Sequence, residues 1–216
     1  MIAMILAAGR GERLRPVTES IPKSLVEVGG QALLERHLRS LAKGGVETVV
    51  INLGWLGDQI TERIGSGGEF GLNVVYSQEG DNILETGGGI HRALPVLGTD
   101  PFLVINADIY TDMPLPDVQL GDDDMVHLVC VPVPEDKAGG DFAIVDGRIR
   151  NDGEAMFTFS GVSIYRPEFF ADCAPGRFSV VPMLRAAADA NRVSGSIYSG
   201  LWRDVGTPER LAELNA

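Results

Sequence analysis

Short apolar runs, separated by segments of helical periodicity, restrict the fold of this 216-residue chain more than any other feature. Residues 2–7 (IAMILA), 48–52 (TVVIN), 72–76 (LNVVY) and 101–106 (PFLVIN) are rich in β-branched and large apolar side chains, as strands buried on both faces are. Between the first two, residues 31–43 set Leu34, Leu38 and Leu41 at helical spacing, with Glu35 and Arg39 four apart on another side. Gly44-Gly45 stops that helix. Residues 55–64 read as a second helix, and 90–97 as a third that follows a loop ending in three glycines. Glycines at a helix start make sense if something packs against the bare backbone, where amide N–H groups are free. The order strand, helix, strand, helix, strand implies right-handed crossovers and helices on both faces of a parallel sheet, with ligands outside the carboxyl ends of the strands.

From Asp117 onward the alternation weakens. Residues 125–131 and 157–165 read as strands, and 142–145 with 148–150 as a hairpin turned by Asp146-Gly147. Residues 167–172 and 180–191 read as helical pieces, and 194–198 and 201–203 as short strands. Thr207 is placed to cap a closing helix with Pro208 at its first position. The run Asp122-Asp123-Asp124 reads as a solvated turn. With no repeat or low-complexity linker, the expectation is a single domain over residues 1–216.

The formal net charge is −12, yet Arg10, Arg13, Arg15 and Lys23 crowd one loop that also holds Gly9 and Gly11. Glycine lets a backbone turn tightly and approach a ligand, and guanidinium and ammonium groups neutralise phosphoryl oxygens. The overall acidity argues against nucleic acid as a partner. No apolar run reaches the roughly 18 residues of a membrane span, and no secretion signal is recognisable, so a cytoplasmic location is expected. Cys130 and Cys173 have neither disulfide-framework nor zinc spacing, and read as packed, reduced thiols. His37, His91 and His127 share no metal or triad spacing and read as structural.

Gly9-x-Gly11 alone says little. A P-loop would need Gly-Lys-Ser/Thr, and a dinucleotide fingerprint a third glycine where Leu14 stands. The longer pattern, strand then Gly9-x-Gly11-x-Arg13-Leu14-x-Pro16-x-Thr18 and Pro22-Lys23, resembles the sugar-1-phosphate nucleotidyltransferases. The likeness continues through Val28–Leu34, Glu85-Thr86-Gly87-Gly88-Gly89, Asn106-Ala107-Asp108, Phe159-Ser160-Gly161 and Trp202–Glu209. Ala32 replaces the usual proline, Gln31 an often-found lysine, and a proline near Ile83 is missing.

The resemblance implies a doubly wound, mostly parallel, Rossmann-like α/β fold. Residues 1–110 would form its nucleotide-binding half and 111–216 its sugar-binding half. It implies UTP and a sugar 1-phosphate as substrates, N-acetylmuramate 1-phosphate first, with GTP and mannose 1-phosphate as the alternative. A monomer or small homo-oligomer is expected. By the same likeness Arg13 and Lys23 are the catalytic cations. Ala8, Gly9, Gly11, Glu12, Glu79, Thr86 and Gly88 join them in holding the nucleotide. Asn106, Gly140, Asp141 and Glu154 are expected at the sugar, and Asp108 and Asp204 on Mg²⁺, which favours carboxylate, phosphate and water oxygens. Arg10 and Arg15 serve equally well as surface or salt-bridge cations, Asp108 as a loop cap, and Asp204 as a partner of Arg203. Lys137 lies in no matching motif. A different class of function, a binding or regulatory protein that has lost catalysis, would lack part of the set Arg13, Lys23, Asp108 and Asp204; the set is complete.

Overall fold

A computed structural model describes residues 1–80 and 82–216. Thirteen strands follow one another as β1 (Ile2–Leu6), β2 (Glu27–Val28), β3 (Gln31–Ala32), β4 (Thr48–Leu53), β5 (Asn73–Gln78), β6 (Phe102–Asn106), β7 (Ile109–Thr111), β8 (Val126–Pro132), β9 (Phe142–Val145), β10 (Arg148–Arg150), β11 (Met156–Tyr165), β12 (Val193–Ile197) and β13 (Trp202–Asp204). The helices are α1 (Leu33–Lys43), α2 (Gly57–Ile64), α3 (Glu85–Leu97), α4 (Val181–Asp189) and α5 (Pro208–Leu214).

Nine strands form one sheet in the order β5-β4-β1-β6-β11-β8-β12-β10-β9. The first four run parallel, as the buried β-branched runs require. Beyond β6 the sheet is mixed: β11 lies antiparallel to both β6 and β8, and only β12 returns parallel to β8. Seven of the nine strands run in one direction, with β11 and β10 against them, so the sheet is mostly parallel in strand direction, as expected, and mixed in its pairings. The second half of the chain is built from a hairpin and a long return strand, which need no crossover helices.

Alternate residues along the strands feed two layers. Ala3, Ile5, Val49 and Ile51 pack with Leu34, Leu38 and Leu41 of α1 and Ile60 and Ile64 of α2. Met4, Val50 and Val104 pack with Ile90, Ala93 and Leu97 of α3 and Leu184 and Ala188 of α4. Helices therefore cover both faces. Each fully buried leucine or isoleucine contributes about 1.5–3 kcal/mol. A third cluster, Leu14, Val26, Val28, Leu33 and Val205, lies beneath the first loop and ties it to the end of the chain. No helix among the described residues is long and apolar enough to cross a membrane.

Three local expectations change. Helix α1 starts at Leu33 because Gly29 and Gly30, at φ +60° and +74°, turn a small hairpin that takes Gln31 and Ala32 into β3. Asp124 is buried and pairs with Arg148, so the acidic run is not wholly a solvated turn. Helix α3 starts at Glu85, so Gly87, Gly88 and Gly89 lie within it.

Close packing on bare backbone is what these glycines permit, but the packing group is the protein itself. A Cβ on Gly87 would come within 2.4 Å of the Phe178 ring, and one on Gly88 within 2.1 Å of the Gly176 carbonyl oxygen. Gly88 N–H donates to the Phe178 carbonyl at 3.1 Å. Alanine would favour the helix by about 1 kcal/mol, but overpacking against a carbonyl costs about 1–3 kcal/mol. We expect Gly88→Ala to lose up to about 2 kcal/mol net, seen as a thermal midpoint lower by up to about 8 °C. A raised midpoint would show that residues 174–178 yield freely.

Candidate active site

The carboxyl ends of β1, β4 and β6 open at one edge of the sheet, and the first loop folds over them. Gly11 sits at φ +61°, and a Cβ there would meet Thr18 Cγ2 at 2.8 Å and Lys23 Cβ at 3.2 Å. Thr18 Oγ1 donates to the Gly11 carbonyl at 2.8 Å, and Trp55 Nε1 donates to the Thr18 carbonyl at 3.0 Å. The loop is thus held closed on itself before any ligand arrives. Arg10 lies over the Trp55 ring, 5.5 Å from its centroid, at the lip of the loop. Arg15 is exposed and faces none of the cavities described below.

Three cavities meet here. One of about 210 Å³ lies over the strand ends beside the start of α3. A second of about 910 Å³ follows the loop from Gly9 to Arg13. A third of about 360 Å³ lies over β11 and β13. Asp108 lines all three, Lys23 the first and second, Arg13 the second and third, and Asn106 the first and third. Lys23 Nζ lies 2.6 Å from Asp108 Oδ2 where the cavities join.

Ala8, Gly9, Glu79 and Thr86, expected at the nucleotide, line the first cavity. Gly88 does not; it faces Gly176 within the protein. At the floor, Asn52 accepts from Ala7 N–H at 2.6 Å and donates from Nδ2 to Glu79 Oε1 at 2.7 Å, while Glu79 Oε2 accepts from Leu84 N–H at 2.7 Å. Asn52 and Glu79 are both buried. Each oxygen of this carboxylate accepts one bond from the protein, which fixes β1, β4 and the approach to α3 relative to one another.

Gly9, Gly11, Glu12, Arg13 and Lys23 all line the second cavity, together with Arg177, which is held by Glu85 at 2.8 Å. In the third, Asn106, Asp108, Asp141 and Asp204 come together with Lys137 and Arg210. Gly140 and Glu154 do not line it. Gly140 is packed on the start of β11, with its Cβ position 2.7 Å from Met156 Cβ and Phe157 N, and Glu154 is exposed. Pairing of β7 with β13 sets Asp204 opposite Ile109, and Val205 N–H donates to the Asp108 carbonyl at 2.8 Å. Two carboxylates 96 positions apart in the chain thereby share one wall.

The donor chemistry of that wall fits a hard divalent cation. Lys23 occupies Oδ2 of Asp108 and Arg210 occupies Oδ1 of Asp204, which leaves Asp108 Oδ1 and Asp204 Oδ2 without a partner among the described residues. No group of three or more histidine, cysteine or acidic side chains forms a complete cage among those residues. Two carboxylates completed by phosphate and water oxygens suit Mg²⁺. Asp204 pairs with Arg210 rather than Arg203. His37 lies behind Asp108 in α1; burial pushes its pKa down to about 4 against the pull of the Asp108 charge, so it is neutral at pH 7. Both cysteines are free thiols, and burial pushes Cys130 up to about 12.

Asn52, Lys137, Arg177 and Arg210 were not anticipated. Asn52 ends its strand run as Asn106 does, a readable signal. Arg210 follows closely on Trp202–Glu209, whereas Lys137 and Arg177 stand in stretches with no pattern, and only the folded chain brings them to the cavities.

A glycine-containing cationic loop facing paired carboxylates across joined cavities is an arrangement suited to nucleotidyl transfer. Residues 2–139 match the family described as Nucleotidyl transferase, and the chain belongs to that family, the sugar-1-phosphate nucleotidyltransferases. It is 45% identical over its whole length to N-acetylmuramate alpha-1-phosphate uridylyltransferase of Neisseria meningitidis serogroup B, covering 97% of that protein. With the protein of the same name from Caulobacter vibrioides it shares 37% identity over 98% of this chain and 97% of the relative. The structure of HddC from Yersinia pseudotuberculosis complexed with GMP-PN has the same fold, with a TM-score of 0.79 at 23% identity over 99% of this chain and 97% of the other.

Proposed function

We propose that this chain transfers the uridylyl group of UTP to N-acetylmuramate 1-phosphate, forming a UDP-sugar and pyrophosphate, as a cytoplasmic step of peptidoglycan recycling. The observation that carries this reading is the meeting of three cavities at Asp108 and Lys23, in a chain close to two uridylyltransferases over their full length. The first cavity takes the nucleoside, the second the triphosphate and the third the sugar phosphate.

An oxygen of the sugar phosphate attacks the α-phosphorus in line, and the bond from that phosphorus to the bridging oxygen of pyrophosphate breaks. The attacking phosphate is already ionised at neutral pH, so no general base is needed. The barrier is one of anion repulsion and alignment, which positioned cations and loop amides lower. Lys23 neutralises the α-phosphate and the incoming phosphate, releasing Asp108 as they bind. Arg13, between the second and third cavities, takes charge that moves to the leaving pyrophosphate, with amides near Gly9 to Glu12. Asp108 and Asp204 would hold Mg²⁺, whose chemistry when bound is to neutralise phosphoryl oxygens.

Chromatography of a mixture of UTP and N-acetylmuramate 1-phosphate tests this. We expect a UDP-sugar to accumulate with Mg²⁺, and its formation to stop on adding excess chelator and resume on restoring Mg²⁺. Undiminished synthesis in chelator would remove the metal role of Asp108 and Asp204.

A further inference from the structure

We infer that Lys137 is the residue that selects an acidic sugar, by receiving the lactyl carboxylate of N-acetylmuramate 1-phosphate; this rests on the reading just given. Lys137 belongs to the connection between β8 and β9 and lines the third cavity. Its Nζ donates to Asp141 Oδ2 at 2.7 Å and to Thr158 Oγ1 at 3.3 Å. An ammonium has three N–H donors, so one remains free of the described residues. The side chain is 34% exposed, tethered yet open to the cavity.

Its place along the cavity decides what it meets. The phosphate end is marked by Asn106 and Asp108, and Asn106 packs against Gly161, whose Cβ position lies 2.7 Å from Asn106 Nδ2. Thr158, which holds Lys137, stands three positions earlier on the same strand. The bulge in β11 sets Phe159 and Val162 against the consecutive Cys130 and Val129, so the offset along the sheet is about 5–7 Å at about 3.3 Å per residue. Lys137 lines the third cavity and neither of the other two, whereas Lys23 lines the first and second, so a phosphate held at Lys23 leaves Lys137 to the sugar and its substituents.

N-acetylmuramate differs from N-acetylglucosamine in a lactyl ether on C3 that ends in a carboxylate. That carboxylate would accept a charge-assisted hydrogen bond from the spare ammonium proton. Asp141 shares the Lys137 charge, and because its Oδ2 also accepts from Phe159 N–H at 2.9 Å it stays fixed in place when a second carboxylate meets the ammonium. The other cations of the cavity are placed differently: Arg13 opens toward the triphosphate cavity, and Arg210 is shared between Asp204 and Asp136.

The test is steady-state kinetics of the wild type, Lys137→Gln and Lys137→Arg with UTP. N-acetylmuramate 1-phosphate is the acceptor, and N-acetylglucosamine 1-phosphate is followed as substrate or competitive inhibitor. Lys137→Gln should raise KM for the acidic acceptor about tenfold to a hundredfold, the usual worth of a hydrogen bond to a charged group. KM for UTP, and binding of the neutral sugar, should stay within about twofold, and Lys137→Arg should recover part of the loss. Equal loss on both sugars, or an unchanged KM for the acidic one, would overturn the assignment. A wild type that turns over other sugar 1-phosphates but not N-acetylmuramate 1-phosphate would instead remove the function on which it rests.

Discussion

Replacing Asp108 by alanine is expected to lower kcat/KM by about a thousandfold or more at saturating Mg²⁺, with the fold intact. Asp108 is the one side chain common to the three cavities among the described residues. If Asp108 holds Mg²⁺ as proposed, its loss forfeits several kcal/mol of charge stabilisation, and each 1.36 kcal/mol is a factor of ten in rate. The cost in stability is smaller. Lys23, whose side chain is 14% exposed, loses its partner, a change of about 1–3 kcal/mol that shifts the thermal midpoint by about 2–12 °C. Near-normal turnover, measured as pyrophosphate release, would remove Asp108 from the chemistry.

The second large effect is at Lys23. Methionine there keeps the length of the side chain and deletes the charge between the first and second cavities. Removing one preorganised group that stabilises transition-state charge costs about 10²–10³ in kcat, and we expect a loss of that size. The loss should fall on kcat more than on KM for UTP, since in the proposed reaction the loop amides, Arg13 and the first cavity would still bind the nucleotide. A variant that raised KM and left kcat unchanged would make Lys23 a binding group only.

The parts of the chain that could be read from sequence are those whose physics is local. The runs at residues 2–7, 48–52 and 101–106 are strands because β-branched side chains buried on two faces suit little else, and Asp146-Gly147 turns its hairpin as that dipeptide does elsewhere. Arg13, Lys23, Asp108 and Asp204 were reachable because each sits in a long pattern at a strand or loop end. The glycines after Thr86 were half legible. That something packs on bare backbone followed from composition, but that it is Gly176 and Phe178 depends on a contact across some 90 residues. Gly140 and Glu154 were placed by family likeness alone, and neither lines the third cavity. Lys137, Arg177 and Arg210 enter through tertiary pairing with Asp141, Glu85 and Asp204, which no local pattern announces.

The central claim is that the joined cavities support one reaction, uridylyl transfer to a sugar 1-phosphate. Its most direct test is pyrophosphate release from UTP, GTP, CTP, ATP and dTTP. Each is crossed with the 1-phosphates of N-acetylmuramate, N-acetylglucosamine, glucose and mannose, in Mg²⁺. The account predicts the fastest release with UTP and N-acetylmuramate 1-phosphate, and equimolar nucleotide-sugar. No release from any pair would contradict it.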